Sequence, residues 1–264
     1  MNYFLKSWKR WTGWLVIAIL FAIGCVFLSE WQFERRAHRV AQIAVVDANY
    51  DAKAVPIESL LGKSHSDDEI LWRPVTAVGR FLNDKALLVR NRPQNGQPGF
   101  ELVVPFATPQ RTILVDLGWL PTGNLQDSPD KVPLPSTSAQ RITMRLILTE
   151  SKIDRDAPKG QVANLHLPTI ADVTQMPIDL KWYGQLNSGN FEKLPKQLTK
   201  PSTDEGNHLS YAIQWVMFAL LGFAVLIWAY RKEMDFARAE SDPNFSPRKR
   251  RTSRADKDAQ AEDN

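Results

Sequence analysis

The chain has 264 residues, 44% of them hydrophobic and 23% charged, with 33 Lys and Arg against 29 Asp and Glu for a net charge of +4. A mean hydropathy of −0.30 excludes a bundle made only of membrane helices. The single cysteine excludes a disulfide framework.

Residues 1–10 form a short basic segment with Lys6, Lys9 and Arg10. Trp11 to Leu28 then contains no Asp, Glu, Lys, Arg or His. A bilayer core about 30 Å thick is crossed by roughly 20 apolar helical residues. Only a helix satisfies its own backbone groups there, so a transmembrane helix is expected over 11–29. Trp11, Trp14 and Trp31 bracket it as interfacial aromatics do. The following "FLSEWQ" puts Trp and Glu where a signal peptidase needs small residues, which argues against a cleaved leader. Cys25 lies inside this segment with no base nearby in sequence and reads as a small packing residue.

Residues 30–207 are long enough for one domain with its own core, and they read mainly as β. "WRPVTAVGRFL", "KALLVRNR", "GFELVVPFA", "RTILVDLGWLP" and "QRITMRLILTE" are short runs separated by Gly, Pro and Asn turn signals. "LPTIADVTQM" predicts a short helix capped by Thr169, and "DLKWYGQLN" a further strand. Residues 122–138, rich in Pro, Ser and Asp, predict a long loop. The fold class expected is membrane α+β. Two transmembrane helices flank a mainly antiparallel β domain, built as a small barrel or sandwich and lying outside the cytoplasm.

Leu209 to Tyr230 is again free of ionised side chains, with Tyr211, Trp215, Trp228 and Tyr230 near its ends. The second transmembrane helix is expected over 208–230, opening on Asn207 and His208. The remainder, 231–264, is polar and charged, and its part beyond Asp242 is expected to be disordered. Its basic run "SPRKRRTSR" beside a membrane helix suits anionic lipid, and no nucleic-acid partner is expected. Basic residues at both ends favour cytoplasmic termini, although Arg35, Arg36 and Arg39 follow the first helix closely. The first helix leaves little room for an organelle presequence, so the expected location is a bacterial plasma membrane, spanned twice.

Signatures of catalysis are scarce. There is no phosphate-binding Gly loop, no Gly-x-Ser-x-Gly elbow and no His-Glu-x-x-His. The four histidines, His38, His65, His166 and His208, are scattered. His65 in "KSHSDDE" reads as a solvated loop residue and His166 in "NLHLP" as a satisfied strand residue. A non-enzymatic role follows.

Several segments in order resemble the surfeit locus protein 1 family of cytochrome c oxidase assembly factors. Trp31, Gln32 and Arg35 match its Trp-Gln-x-x-Arg motif after the first helix. "VGRFL" at 78–82, "GFELVVPF" at 99–106 and "ILVDLGWLP" at 113–121 are similar to its central strands. "NHLSYAIQW" at 207–215 is similar to the start of its second helix. The similarity covers about residues 11–232. Asp116-Leu117 stands where the family usually has Asn-Arg, and Ser29 where Gly is common before Trp-Gln.

The resemblance implies an accessory factor in biogenesis of haem–copper oxidase. Its partners would be subunit I, other oxidase subunits or assembly factors, and the lipid bilayer. It implies transient handling of haem a, with His208 as the iron ligand. If the two helices pair, Tyr211, Trp215, Trp31, Gln32 and Arg35 share the depth of His208 and would complete the site. Arg35 or Arg36 would meet the propionates. Two plainer readings stand beside these: His208, Tyr211 and Trp215 as interfacial anchors, and the chain as a retained structural subunit of a respiratory oxidase.

Overall fold

A computed structural model of the chain describes residues 2–124, 126–189 and 195–241, with side chains from Trp8 onward. The basic run and the tail beyond Asp242 lie outside the described residues. The chain divides into two compact units. One holds the terminal helices up to Arg39 and from Glu205, and the other is Val40–Asp204.

The first helix, α1, is Asn2–Asn49, 48 residues long. At 1.5 Å per residue it extends for about 70 Å, far more than a bilayer core requires. The residues after Ser29 are rich in Ala, Gln, Glu and Arg, which lose little rotamer freedom in a helix, so the helix continues where the apolar run stops. Its final turns belong to the β unit: Val46 and Asn49 are buried, and the Asn49 amide donates to the carbonyls of Asp68 (2.7 Å) and Leu71 (2.9 Å).

In the β unit, β1 is Val55–Pro56, α2 Ile57–Leu61, α3 Asp67–Ile70 and β2 Pro74–Phe81. A 3-10 turn at Asn83–Lys85 leads to β3, Leu87–Val89, then β4, Gly99–Ala107, and β5, Thr112–Pro121. Next come β6, Gln140–Leu148, β7, Gln161–Val162, α4, Leu167–Thr174, and β8, Trp182–Ser188. The cap of α4 is His166, not the expected Thr169: the His166 Nδ1 accepts from the Thr169 amide at 3.3 Å. That side chain satisfies a backbone donor orphaned at the helix start.

The strands form one eight-stranded sheet in the order β1-β2-β6-β8-β5-β4-β3-β7. Among the described residues the pairings are mainly antiparallel, as expected, but three are parallel, β1 with β2, β3 with β7 and β5 with β8, so the sheet is mixed. The expected barrel is corrected: the sheet is not a barrel. β2 meets β4 only at Arg80–Ala107 and Phe81–Phe106, where Gly79 lets the chains approach, because a Cβ there would stand 2.2 Å from the Ala107 carbonyl. β4 and β5 pair as a hairpin across the turn between them, but the late strand β8 inserts between β5 and β6.

Alternate residues of the central strands feed two cores. Val104, Phe106, Ile113, Val115, Met144 and Trp182 belong to one. Val103, Leu114, Val162, Leu167, Ile170 and Tyr183 belong to the other. A bulge between Leu102 and Val103 and their β5 partners, with Gly118 at φ 124°, shifts the register beside Asp116.

The final helix, α5, is His208–Ser241, 34 residues. Both terminal helices contain a window long and apolar enough to cross a membrane, and only 11% and 6% of those windows is buried. A soluble core helix would be mostly covered, so the two helices fit a membrane protein with two spans.

Candidate functional site

The apolar surface of α1 and α5 runs all the way round, so the pairing face is set by small and polar residues. On α1 the less exposed positions include Ala18, Ala22, Cys25, Ser29, Gln32 and Arg36, and on α5 His208, Ala212, Trp215, Ala219, Gly222 and Leu226. Each series alternates steps of four and three residues, the spacing of a helix–helix seam. Small residues let two backbones approach closely where lipid gives no hydrophobic drive to pair.

The contacts run in opposite directions along the two helices. Arg10 pairs with Glu233, and Trp11 meets Tyr230 edge-on at 5.2 Å. The buried Ser29 Oγ donates to the Ala212 carbonyl at 3.0 Å. The His208 Nδ1 lies 2.8 Å from Gln32 Oε1, and Arg36 pairs with Glu205 at 2.7 Å.

The six expected site residues divide into two groups. His208 and Gln32 are bonded to one another within the seam. Trp215 shares that face and stacks edge-on with Phe218 at 5.8 Å. Trp31 and Tyr211 are about half exposed, at 50% and 51%, and Arg35 is exposed with its guanidinium 5.6 Å from the centre of the Trp31 ring. Of the two neighbouring arginines, Arg36 is the one with an ion pair at the helix mouth.

Sequence reading missed Ser29 and Glu205, whose only signal was their position opposite Ala212 and Arg36 once the helices pair. It also missed Gly206, with φ 72°, where an added Cβ would lie 3.9 Å from His208 Nε2. An apolar groove of about 360 Å³ opens along the same seam toward its other end, between Trp14 and Phe21 on α1 and Gly222 and Leu226 on α5. Among the described residues, no three His, Cys, Asp or Glu side chains come together as metal ligands.

A pair of antiparallel apolar helices with a histidine–glutamine bond at one mouth, joined to a mixed β-sheet unit, defines the class of molecule. The model of the SURF1 family matches residues 19–220. The chain is 28% identical over 258 residues to an uncharacterised SURF1-like protein of Mycobacterium bovis, spanning 89% of this chain and 91% of that one. SURF1-like proteins of Mycobacterium tuberculosis, also uncharacterised, match to the same extent. The chain belongs to the SURF1 family, known in general for factors in cytochrome oxidase assembly.

Proposed function

We propose that the protein spans a membrane twice, assists assembly of haem–copper cytochrome c oxidase, and holds haem a at His208 before subunit I receives it. The observation that carries this reading is the state of the His208 imidazole. With Gln32 Oε1 as acceptor, Nδ1 bears the proton, and the lone pair is on Nε2. Among the described residues Nε2 has no hydrogen-bond partner. A histidine whose far nitrogen is held by an acceptor is oriented and made a better metal ligand.

The surroundings fit a large flat ligand with an apolar body. Trp31, next to Gln32, and Tyr211, one turn beyond His208, offer exposed aromatic surface. Arg35, stacked on Trp31, supplies a guanidinium for a carboxylate. A Cβ at Gly206 would touch the ring at 3.9 Å from Nε2, so glycine keeps that added bulk away from it. When bound, haem a supplies an iron centre that accepts an imidazole nitrogen. The protein's own residues would hold that nitrogen in place through Gln32, with Trp31 and Tyr211 as aromatic neighbours for the ring.

Basic residues before the first apolar run and after Tyr230 favour cytoplasmic termini, with the β unit outside a bacterial plasma membrane. Deleting the protein is expected to lower haem a in the oxidase more than total haem b in the membrane. Fully haem-loaded, active oxidase at normal level in a deletion strain without a paralogue would contradict the assembly role. Protease outside protoplasts is expected to cleave the β unit and spare a C-terminal tag; the reverse pattern would invert the topology.

A further inference from the structure

The β unit contains a polar cavity that the haem reading does not use. It has a volume of about 260 Å³, and its wall includes Arg92, Gln94, Glu101, Asp116, Glu150, Tyr183 and Gln185, with Trp72 and Trp119 beside them. The sheet assembles it: β4 brings Glu101, β5 brings Asp116, and β8 brings Tyr183 and Gln185. Asp116 and Gln185 are direct partners across the parallel β5–β8 pairing. Trp72 is held at φ 67°, a left-handed conformation that bulky residues rarely adopt.

Part of the wall is internally paired. Arg92 donates through Nη2 to Glu150 (2.7 Å) and forms an ion pair with Glu101 (Nε to Oε2 3.0 Å), although that Nε is buried without a hydrogen bond. The second Glu150 oxygen accepts from the Leu165 amide at 2.9 Å, and one Asp116 oxygen accepts from the Gly118 amide at 2.9 Å.

The rest is not. Gln94, Asp116, Tyr183 and Gln185 are only 8%, 2%, 6% and 7% exposed. Gln94 Oε1 is buried without a hydrogen-bond partner. Among the described residues, neither the Tyr183 hydroxyl, the Gln185 amide nor the second Asp116 oxygen has a protein hydrogen bond. Buried polar groups are rarely left unpaired in native proteins, because each costs roughly 1–3 kcal/mol; Gln94 Oε1 and Arg92 Nε are in that position. The other unpaired groups line the cavity and are open to an occupant.

The charge balance identifies its class. Three carboxyl groups face one guanidinium, and that guanidinium is already shared by two of them. Burial pushes the Asp116 carboxyl well above the ordinary aspartate range, and the neighbouring Glu101 adds to this. Burial likewise raises Glu101, in spite of Arg92, and raises the Tyr183 phenol, with Asp116 contributing. With all three carboxyls ionised, the wall would carry two negative charges more than Arg92 offsets among the described residues. An anion would have to displace carboxylates from Arg92. A cation with several N–H donors would meet Asp116, Glu101 and the Gln94 oxygen as charge-assisted or neutral acceptors, and indole rings favour such a group.

We propose that this cavity binds an organic cation, a primary ammonium or guanidinium group carried either by a small molecule or by a side chain that a partner presents. Binding drives the Asp116 and Glu101 carboxyls to ionise, so it weakens as pH falls. The charged and titrating groups around Asp116 are Arg92, Glu101, Glu150 and Tyr183, with Lys196 beyond the Trp119 ring.

The test is calorimetric titration of the full chain in detergent with methylguanidinium, propylammonium, and short peptides bearing one Arg or one Lys, with acetate as the anionic control. Saturable binding of a cation is expected at about pH 7, at least tenfold weaker at about pH 5, where carboxyls take up protons. Saturation by the small ions points to a small-molecule source, and saturation by the peptides alone to a partner's side chain. Asp116→Asn is expected to weaken binding at least tenfold, and Tyr183→Phe severalfold, which keeps the proposal testable if the first variant fails to fold. No saturation by any cationic probe at millimolar concentration overturns the proposal, as does preferential binding of acetate. Equal binding by the wild type and both folded variants does the same.

Discussion

The His208 Nδ1 and Gln32 Oε1 lie 2.8 Å apart, joining residues far apart in sequence at one mouth of the paired terminal helices. The bond fixes the tautomer and ring angle of the proposed ligand. Gln32→Leu removes the acceptor and keeps the bulk. Loss of such a supporting bond costs about 10–100-fold in metal affinity. Haem titration of the purified variant is expected to show weakening in that range with the imidazole-bound spectrum still reached at saturation. Unchanged affinity would mean that Gln32 has no orienting role.

The seam is expected to be sensitive to size at Ala212, which is fully buried and whose carbonyl accepts from Ser29. Ala212→Leu overpacks that contact and is expected to destabilise the helix pair by about 1–3 kcal/mol. Ser29→Ala removes one interhelical hydrogen bond and is expected to cost about 0.6 kcal/mol. Thermal unfolding in detergent ranks the two, and an equal or reversed ranking would argue against close packing at this point.

Much of the sheet was legible in the residues. "GFELVVPFA" is β4 from first residue to last, and "RTILVDLGWLP" is β5 with one residue to spare, because Pro and Gly turns bound dense β-branched runs. The strand order of the sheet was not legible. β8 reaches its place between β5 and β6 through long-range pairing, which leaves no local periodicity. The helix over 30–49 was missed because the reading ended with the apolar run, although Ala, Gln and Arg continue a helix well. The seam was hidden for a different reason. In an all-round apolar helix the buried face is not more hydrophobic than the rest, so Ala18, Ala22, Cys25 and Ser29 stand out only as small. Arg92, Glu101, Asp116, Glu150 and Tyr183 come from separate segments and meet only in the folded sheet.

Gly79 is the tightest point of the β2–β4 contact. A Cβ there would sit 2.2 Å from the Ala107 carbonyl oxygen and 2.9 Å from the Phe106 ring. Backbone cannot yield cheaply, so Gly79→Ala is expected to destabilise the β unit by roughly 2 kcal/mol or more. Denaturant unfolding followed by tryptophan fluorescence measures this, and a shift within error would show that the contact is loose.

Asp116 gives the fold a pH dependence whose sign is fixed by its raised carboxyl. Below the ordinary aspartate range, the group is protonated in folded and unfolded chains alike, and its contribution is fully present. As pH rises past that range, the unfolded chain ionises first and stability is lost up to the folded value. Asp116→Asn keeps an acceptor for the Gly118 amide and cannot ionise. Its melting temperature relative to wild type is expected to be higher at about pH 8 than at about pH 4. A difference that does not change with pH would show that Asp116 titrates normally.

The central claim rests on one nitrogen, and the direct measurement is the absorption spectrum of the full-length protein purified from a host that makes haem a. The wild type is expected to carry haem a, whereas His208→Ala carries little or none at a near-normal level in the membrane. Trp31→Ala is expected to lose less, since it removes aromatic packing rather than an iron bond. His208→Ala protein that retains haem a with an unchanged spectrum would contradict ligation by His208 and leave it an interfacial anchor.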